Sequence, residues 1–329
     1  MKVSIIMPVY NKLPYIQKSI ESICQQTYTD WECLVVDDGS TDGSGKLIDD
    51  MVGRDARFIV VHQINAGVSM ARNRAISKAT GIFLAFLDAD DWWSPLYLEK
   101  MVGMMKQCDR AGIIGSNYVK VRNGKEYTFF DEVPTGYIEY FKLYNSIAQP
   151  LWTGSVMIRR EVMESVRLTS EDFRMLGKEE FREDVYFKPW LKIGEDFDMW
   201  VRIAIKYPVA FLNEGIAYYN YDQPVTLRET GKLYGPENNM LFNLQWLEPY
   251  EKENLDYKAL VDRLRVTSLV LFVDNPQYSD LVKQELKKID WSKQSYSARL
   301  PYLMPIWMIR LKKQIKKIGS CCKQRLRLR

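Results

Sequence analysis

The sequence of 329 residues holds a single histidine, His62. That count excludes His-rich metal centres, HExxH proteases and any mechanism with two imidazoles. His62 ends the apolar run RFIVVHQ and reads as a hydrogen-bonded side chain at the end of a strand. The five cysteines (Cys24, Cys33, Cys108, Cys321, Cys322) are odd in number and show no paired-motif spacing. They fit a reduced, cytosolic chain better than a disulfide framework or a zinc site. No uncharged apolar run reaches the length of a membrane span. The opening MKVSIIMPVYN has one Lys before a short β-branched run, which predicts a first strand rather than a leader. No G-x-G-x-x-G follows that strand and no G-x-x-x-x-G-K-[ST] occurs, which argues against a Rossmann dehydrogenase and a P-loop NTPase. After Asp290 there is no acid at all.

Acids are plentiful elsewhere. Eleven of the 46 Lys and Arg follow Asp290, so the 35 before it face all 42 acids, and a net charge of +4 divides into an acidic body of −7 and a basic tail. Within the body, apolar runs alternate with amphipathic segments. KVSIIMPVY precedes YIQKSIESICQQ, where Ile16, Ile20 and Ile23 recur at helical spacing. WECLVVDDGSTD, RFIVVHQ and GIFLAFLDADD read as further strands, and GVSMARNRAISKATG as a helix ending at Gly81. Ser94-Pro95 predicts the N-cap and first turn of a helix over LYLEKMVGMMKQ. This alternation predicts an α/β fold, a mostly parallel sheet flanked by helices. Past residue 111 the pattern loosens, with strands at IIGSNYVKV, EYTFF and VAFLNEGIAYYNY and helices at REVMESV and GEDFDMWVRIAIKYP. Residues 235 to 290 read as largely helical.

In parallel sheets ligands sit beyond the carboxyl ends of the strands. The unusual residues fall there: Pro8-Val9-Tyr10-Asn11, Asp37-Asp38-Gly39-Ser40 and Asp88-Ala89-Asp90-Asp91. Capping and loop solvation account for acids such as Asp42 or Asp49. They do not account for Asp88 and Asp90, alternating about a small residue directly after FLAFL. Two hard oxygen ligands at that spacing suit Mg²⁺ or Mn²⁺ together with substrate phosphates. A carboxylate at Asp37 or Asp38 can accept hydrogen bonds from a base or from ribose, and Gly39 lets backbone approach a ligand. Gly67 precedes a helix start, with Arg72 and Arg74 placed to reach a nucleotide or a diphosphate.

Taken in order, PVYN, VVDDGSTD, NAGVSMARNRA, FLDADD and GEDFDMW resemble the family 2 glycosyltransferases of the GT-A fold, bacterial polysaccharide-assembly type, over residues 4 to about 225. The resemblance implies an inverting hexosyl- or N-acetylhexosaminyl-transferase using a nucleotide-diphosphate sugar, by default a UDP-sugar, with Mn²⁺ or Mg²⁺. It implies that Pro8, Val9, Tyr10, Asn11, Asp37, Asp38, Gly67, Arg72, Asp88 and Ala89 bind the donor. Asp90 and Asp88 would hold the metal, and Asp196 or Glu195 would be the catalytic base, with Asp196 favoured. Asp198 reads as structural, Asp91 as holding its loop or capping the helix that Ser94-Pro95 begins, Trp92 and Trp93 as either core or sugar wall, and Trp200 as either helix packing or acceptor wall. The family's tyrosine-arginine-any-histidine segment is replaced by YYNYDQPVT, with Asn220 and Tyr221 in those places. LTSEDFRMLGKEEFREDVYFKPW reads as an acceptor-side loop.

Three segments follow. Residues 1–230 form the catalytic domain (1–110 the donor half, 111–230 the acceptor half), 231–290 a helical C-terminal extension, and 291–329 a basic amphipathic tail. Trp307 and its apolar neighbours beside dense Lys and Arg suit the surface of an anionic bilayer. Nucleic acid fits poorly, because the body is acidic and no binding motif appears. The expectation is a peripheral enzyme on the inner face of the cell membrane, acting on a glycan or polyprenyl-linked acceptor. The alternatives are a non-catalytic nucleotide-sugar-binding subunit and a sugar nucleotidyltransferase; PVYNKLP lacks the glycine-rich loop of the latter.

Overall fold

The computed structural model describes residues 1–146, 149–178, 180, 185–222 and 234–309. It divides into two compact units, Met1–Leu247 and Glu248–Arg329.

The first unit alternates strands and helices from its start: β1 (Val3–Val9), α1 (Ile16–Cys24), β2 (Trp31–Asp37), α2 (Ser44–Val52), β3 (Phe58–His62), α3 (Val68–Lys78) and β4 (Phe83–Phe86). Every residue of β1, β2 and β4 is buried, which is why these strands read as continuous apolar runs rather than alternating ones. Then come β5 (Trp92–Trp93), α4 (Tyr97–Gln107), β6 (Ile113–Arg122), β7 (Lys125–Tyr127), β8 (Gly136–Ile138), α5 (Tyr140–Ser146), β9 (Val156–Arg159), α6 (Arg160–Ser165), α7 (Ser170–Met175), α8 (Glu195–Lys206) and β10 (Val209–Asn220). One sheet runs in the order β3-β2-β1-β4-β9-β6-β10-β5, with β7 on β6 and β8 on β10. The α/β architecture is as expected, and its parallel character is concentrated in the first four strands. Among the described residues beyond β4, only β6 and β10 run parallel; β9 is antiparallel to both β4 and β6.

The chain moves outward from β1 to β2 and β3, then returns to β4 on the other side of β1. The loops after β1 and β4 therefore diverge from neighbouring strand ends, a topological switch point where such sheets open a crevice.

Three expectations shift. Helix α3 ends at Lys78, three residues before Gly81. Gly81 is needed for close approach instead, since a Cβ there would lie 2.6 Å from the Ser4 amide nitrogen. Helix α4 begins at Tyr97, and Ser94-Pro95 forms the turn before it, with the Tyr97 amide bound to the Ser94 carbonyl at 3.0 Å. Residues 234–247, expected in the helical extension, belong to the first unit. The Lys192 amide donates to Asn238 O (2.8 Å) and the Met240 amide to Ile193 O (3.2 Å).

The second unit contains α9 (Tyr250–Glu253), α10 (Leu255–Leu269), α11 (Ser279–Lys287) and α12 (Tyr296–Leu303). Asn254 caps α10 by accepting from the Tyr257 amide at 2.9 Å. The buried face of α10 joins Tyr257, Leu260, Val261 and Leu269 to a fully buried Arg265. Among the described residues no helix is long and apolar enough to cross a membrane. Residues 310–329, the most basic part of the tail, lie outside the described residues.

Candidate active site

The loop after β1 holds Tyr10, Asn11 and Lys12. Asn11 takes a left-handed conformation (φ 52°), which short polar side chains tolerate. It binds the loop after β2 twice: its amide donates to Ser40 Oγ (3.0 Å), and its Oδ1 accepts from the Thr41 amide (2.8 Å). Gly39 (φ 76°) lies so close that a Cβ would meet the Asn65 nitrogen at 2.8 Å. Tyr10 is exposed, while Val9 is buried in the sheet.

Asp37 and Asp38 are buried and turn to protein donors. Asp38 Oδ1 accepts from Gln63 Nε2 (2.7 Å) and the Ala66 amide (2.8 Å), and Oδ2 from the Gly67 amide (2.8 Å). Asp38 thus fixes the loop leading into α3, and little acceptor capacity remains on its carboxylate for a ligand. Asp37 Oδ2 lies 2.9 Å from His62 Nδ1, whose other ring nitrogen lies 3.1 Å from Asp49. The hydrogen bond to Asp37 raises the imidazole pKa, with burial opposing and Asp49 assisting. His62 is the hydrogen-bonded strand-end residue expected.

Arg72, on the buried face of α3, joins segments far apart in sequence. Its two terminal nitrogens each lie 2.9 Å from a carboxylate, Asp88 in the loop after β4 and Glu195 at the first turn of α8. The guanidinium is 3% exposed and its Nε has no partner. Burial works against its charge, but Asp88, Glu195 and Asp196 more than offset that and raise its pKa. Arg74, by contrast, points outward on the same helix.

Asp88 is 30% exposed and Asp90 nearly buried. Asp90 is paired with Lys12 from the loop after β1, so the switch point brings the two loops together through a salt bridge. Ala89 between them is buried. Asp91 is a loop anchor: its Oδ1 accepts from the Asn220 amide at 2.8 Å, tying the loop to the end of β10. Burial, then Asp90 and Asp88, push its carboxyl well above the usual range.

Glu195 and Asp196 open α8 behind Gly194, which has φ 77° and whose Cβ would meet Met240 at 2.9 Å. Glu195 is 14% exposed, and burial followed by the neighbouring Asp196 raises its pKa to about 7 despite Arg72. Asp196 Oδ2 accepts from Thr153 Oγ1 at 2.9 Å, and Oδ1 from the Phe197 amide at 2.7 Å. The helix N-terminus favours both negative charges. Asp198 is structural: fully buried, it pairs with Lys188 (2.7 Å) and Arg202 (3.1 Å). Asn73 steadies the preceding segment by accepting from the Tyr186 and Phe187 amides and donating to Phe187 O. Trp200 is core, edge-on to Phe86 and Phe187. Trp93 is also core, its indole N–H bound to Gly154 O at 2.7 Å, whereas the half-buried Trp92 stacks on Tyr218.

The structure therefore gathers Arg72, Asp88, Glu195 and Asp196 at one place, with Lys12 and Asp90 joined beside Asp88. It places Asp37, Asp38 and Gly67 as the frame of the β2 and β3 loops. Lys12, Asn73 and Thr153 escaped sequence reasoning. Lys12 directly follows PVYN, but nothing local distinguishes it from a solvated lysine. In the segment expected as an acceptor-side loop, α7 carries a capping box between Thr169 and Asp172, and residues 179 and 181–184 lie outside the described residues.

Among the described residues, no group of three or more His, Cys, Asp or Glu side chains is arranged to hold a metal ion. Asp88 and Asp90 nevertheless suit a hard divalent cation, which commonly takes one or two protein carboxylates plus phosphate and water. Their negative charge is met here by Arg72 and Lys12.

A mixed sheet of this order, with carboxylates beyond the carboxyl ends of its parallel half, has the architecture of the GT-A fold. The structure superposes on that of Staphylococcus aureus TarS 1-349 in complex with UDP-GlcNAc with a TM-score of 0.66 at 17% identity, covering 88% of this chain and 79% of that one. The family model of glycosyl transferase family 2 matches residues 4–167. The putative glycosyltransferase EpsH of Bacillus subtilis is 29% identical over 76% of this chain and 72% of its own length. The putative teichuronic acid biosynthesis glycosyltransferase TuaG of the same organism is 29% identical over 66% and 78%. The chain belongs to the family 2 glycosyltransferases.

Proposed function

We propose that this glycosyltransferase is a metal-dependent, inverting enzyme that moves a sugar from a nucleoside-diphosphate donor, by default a UDP-sugar, to a hydroxyl of a glycan or lipid-linked acceptor in surface polysaccharide assembly. The observation that carries this reading is the convergence of Asp88, Glu195 and Asp196 around one buried arginine, from three segments that span more than a hundred residues. Asp88 and Asp90 would hold the divalent cation, which when bound supplies charge compensation for the departing diphosphate. Asp196 takes the proton of the attacking hydroxyl, and Thr153 fixes the orientation of its carboxylate. Arg72 sets the distance between the metal-side and base-side carboxylates and keeps Glu195 partly ionised near neutrality. The loops framed by Asn11, Gly39, Asp38 and Gly67 form the floor for the nucleotide, with Tyr10 exposed beside it. The apolar side chains within the basic tail, among them Leu303, Ile306 and a 65% exposed Trp307, support docking on an anionic bilayer.

The test is nucleotide titration with and without Mn²⁺ on the wild type and Asp90→Ala. Mn²⁺ should tighten UDP binding only when Asp90 is present; equal binding in all four arms would refute metal dependence. Asp196→Asn should bind UDP normally yet lose transfer by roughly 10²–10⁴-fold. Full transfer by that variant would remove Asp196 as the base.

A further inference from the structure

The hairpin of β6 and β7, with the end of β10, carries a second feature that the proposed chemistry does not use. Directly paired residues on adjacent strands share a face. The pairs Lys120–Tyr127, Arg122–Lys125 and Tyr219–Lys120 therefore put three bases and two tyrosines on one side. Tyr118 joins them by the period of two along β6. The one acid of β7, Glu126, is paired with Val121 and so falls on the opposite side.

The rings on the basic side are contiguous. Trp152 lies 5.3 Å from Tyr118 and 5.0 Å from Tyr219, and Tyr219 lies 5.8 Å from Tyr221. Lys120 Nζ stands 3.4 Å above the Tyr221 ring, and the Arg122 guanidinium lies 5.6 Å from the same ring. Phe129 extends the row from Tyr118 and is exposed.

One end of the row adjoins, in sequence, the partner of the candidate base. Trp152 immediately precedes Thr153, the residue whose hydroxyl holds Asp196. At the other margin Asn220, between Tyr219 and Tyr221, is bound to Asp91 of the acidic loop. From Tyr118 to Arg122 the strand extends about 13 Å, room for more than one sugar ring.

Resting on the glycosyltransferase reading, we propose that this face binds the acceptor, and that the acceptor is an anionic glycan bearing phosphate or carboxylate groups. The apolar C–H face of a sugar ring lies well on aromatic side chains, as in mostly apolar sites with a few placed polar groups. Phosphate and carboxylate oxygens find charge-assisted partners in Lys120, Arg122 and Lys125. A neutral glycan would leave three like charges on one face without purpose, and an acidic protein body otherwise repels polyanions.

The full chain is tested for binding, without donor, to three labelled probes: oligogalacturonate (carboxylates), a glycerol-phosphate oligomer (phosphates) and maltoheptaose (neutral). At least one anionic probe should bind tenfold or more tightly than maltoheptaose, and weaken as salt is raised; which one binds identifies the anionic group. Arg122→Gln and Lys125→Gln, both at exposed positions and each checked for an unchanged melting temperature, should each weaken that probe several-fold and leave maltoheptaose unchanged. Tyr221→Ala should weaken all saccharides. Equal binding of neutral and anionic probes, or no effect of the two charge variants, overturns the proposal. So does a uridine oligonucleotide that displaces the anionic glycan more effectively than unlabelled glycan does, since bases also stack on such rings. A UDP titration on the same preparation separates the two readings. Anionic-glycan binding without UDP binding removes the glycosyltransferase mechanism and keeps the face, and the reverse result does the opposite.

Discussion

Two buried arginines, one in each unit, show how differently the same ingredients can be used. Arg265 meets Glu251 (2.7 Å), Glu285 (3.1 Å) and Asp262 (3.4 Å) with all three of its nitrogens, and Lys258 and Lys288 balance the remaining negative charge. It is closed and fully satisfied. Arg72 faces Asp88, Glu195 and Asp196 with one nitrogen left without a partner, and one of its carboxylates is open to solvent. A satisfied network fixes packing; an incompletely compensated cluster holds pKa values away from their usual range, as functional sites do. Glu195 at about 7 is the sign of that difference, since burial and Asp196 outweigh Arg72.

The largest effect on stability should come from Arg265→Met, which strands buried carboxylates and costs about 3–5 kcal/mol by denaturant unfolding. Arg72→Met should cost less stability, because Asp88 is partly exposed, and should depress transfer far more. If the two variants lose stability equally, Arg72 is merely another structural network.

A pH series sharpens the point. Glu195 binds its proton more tightly in the folded state, so its contribution to stability falls as pH rises from the unfolded carboxylate range, near 4.5, to about 7. The melting temperature of the wild type minus that of Glu195→Gln should therefore decrease from pH 5 to pH 8. A constant difference would place Glu195 at an ordinary pKa.

Smaller still is the effect at Lys12, whose ammonium pairs with Asp90. Lys12→Met should tighten Mn²⁺ binding several-fold without donor, as read by electron paramagnetic resonance, because the competing cation is gone. Unchanged affinity would show that Asp90 is not the metal-side carboxylate. The least effect belongs to Lys288→Met at the partly exposed rim of the Arg265 network, on the order of 1 kcal/mol or less.

Much of this was legible in the residues. The apolar runs ending in acids announced strands whose carboxyl ends face a ligand, and five ordered motifs identified the family. The structural character of Asp198 and the anchoring role of Asp91 also followed from position. Gly81 misled because a glycine after a helical pattern looks like a C-cap, while the requirement there was close packing against β1. Ser94-Pro95 misled by supplying cap chemistry two residues before the helix began. The ambiguity of Trp92, Trp93 and Trp200 was real, because burial depends on what lies across the fold, and no local pattern encodes it.

By itself, then, the sequence determined the order of strands and helices and the placing of carboxylates at strand ends, since both depend on local periodicity and turn chemistry. Tertiary structure alone decided which charges meet. Arg72 with Glu195, Lys12 with Asp90, and Thr153 with Asp196 are pairs 123, 78 and 43 residues apart. The same holds for the basic and aromatic face, whose sidedness follows from strand register. Such pairings arise from the return of the chain across the sheet, and a linear pattern carries no trace of them.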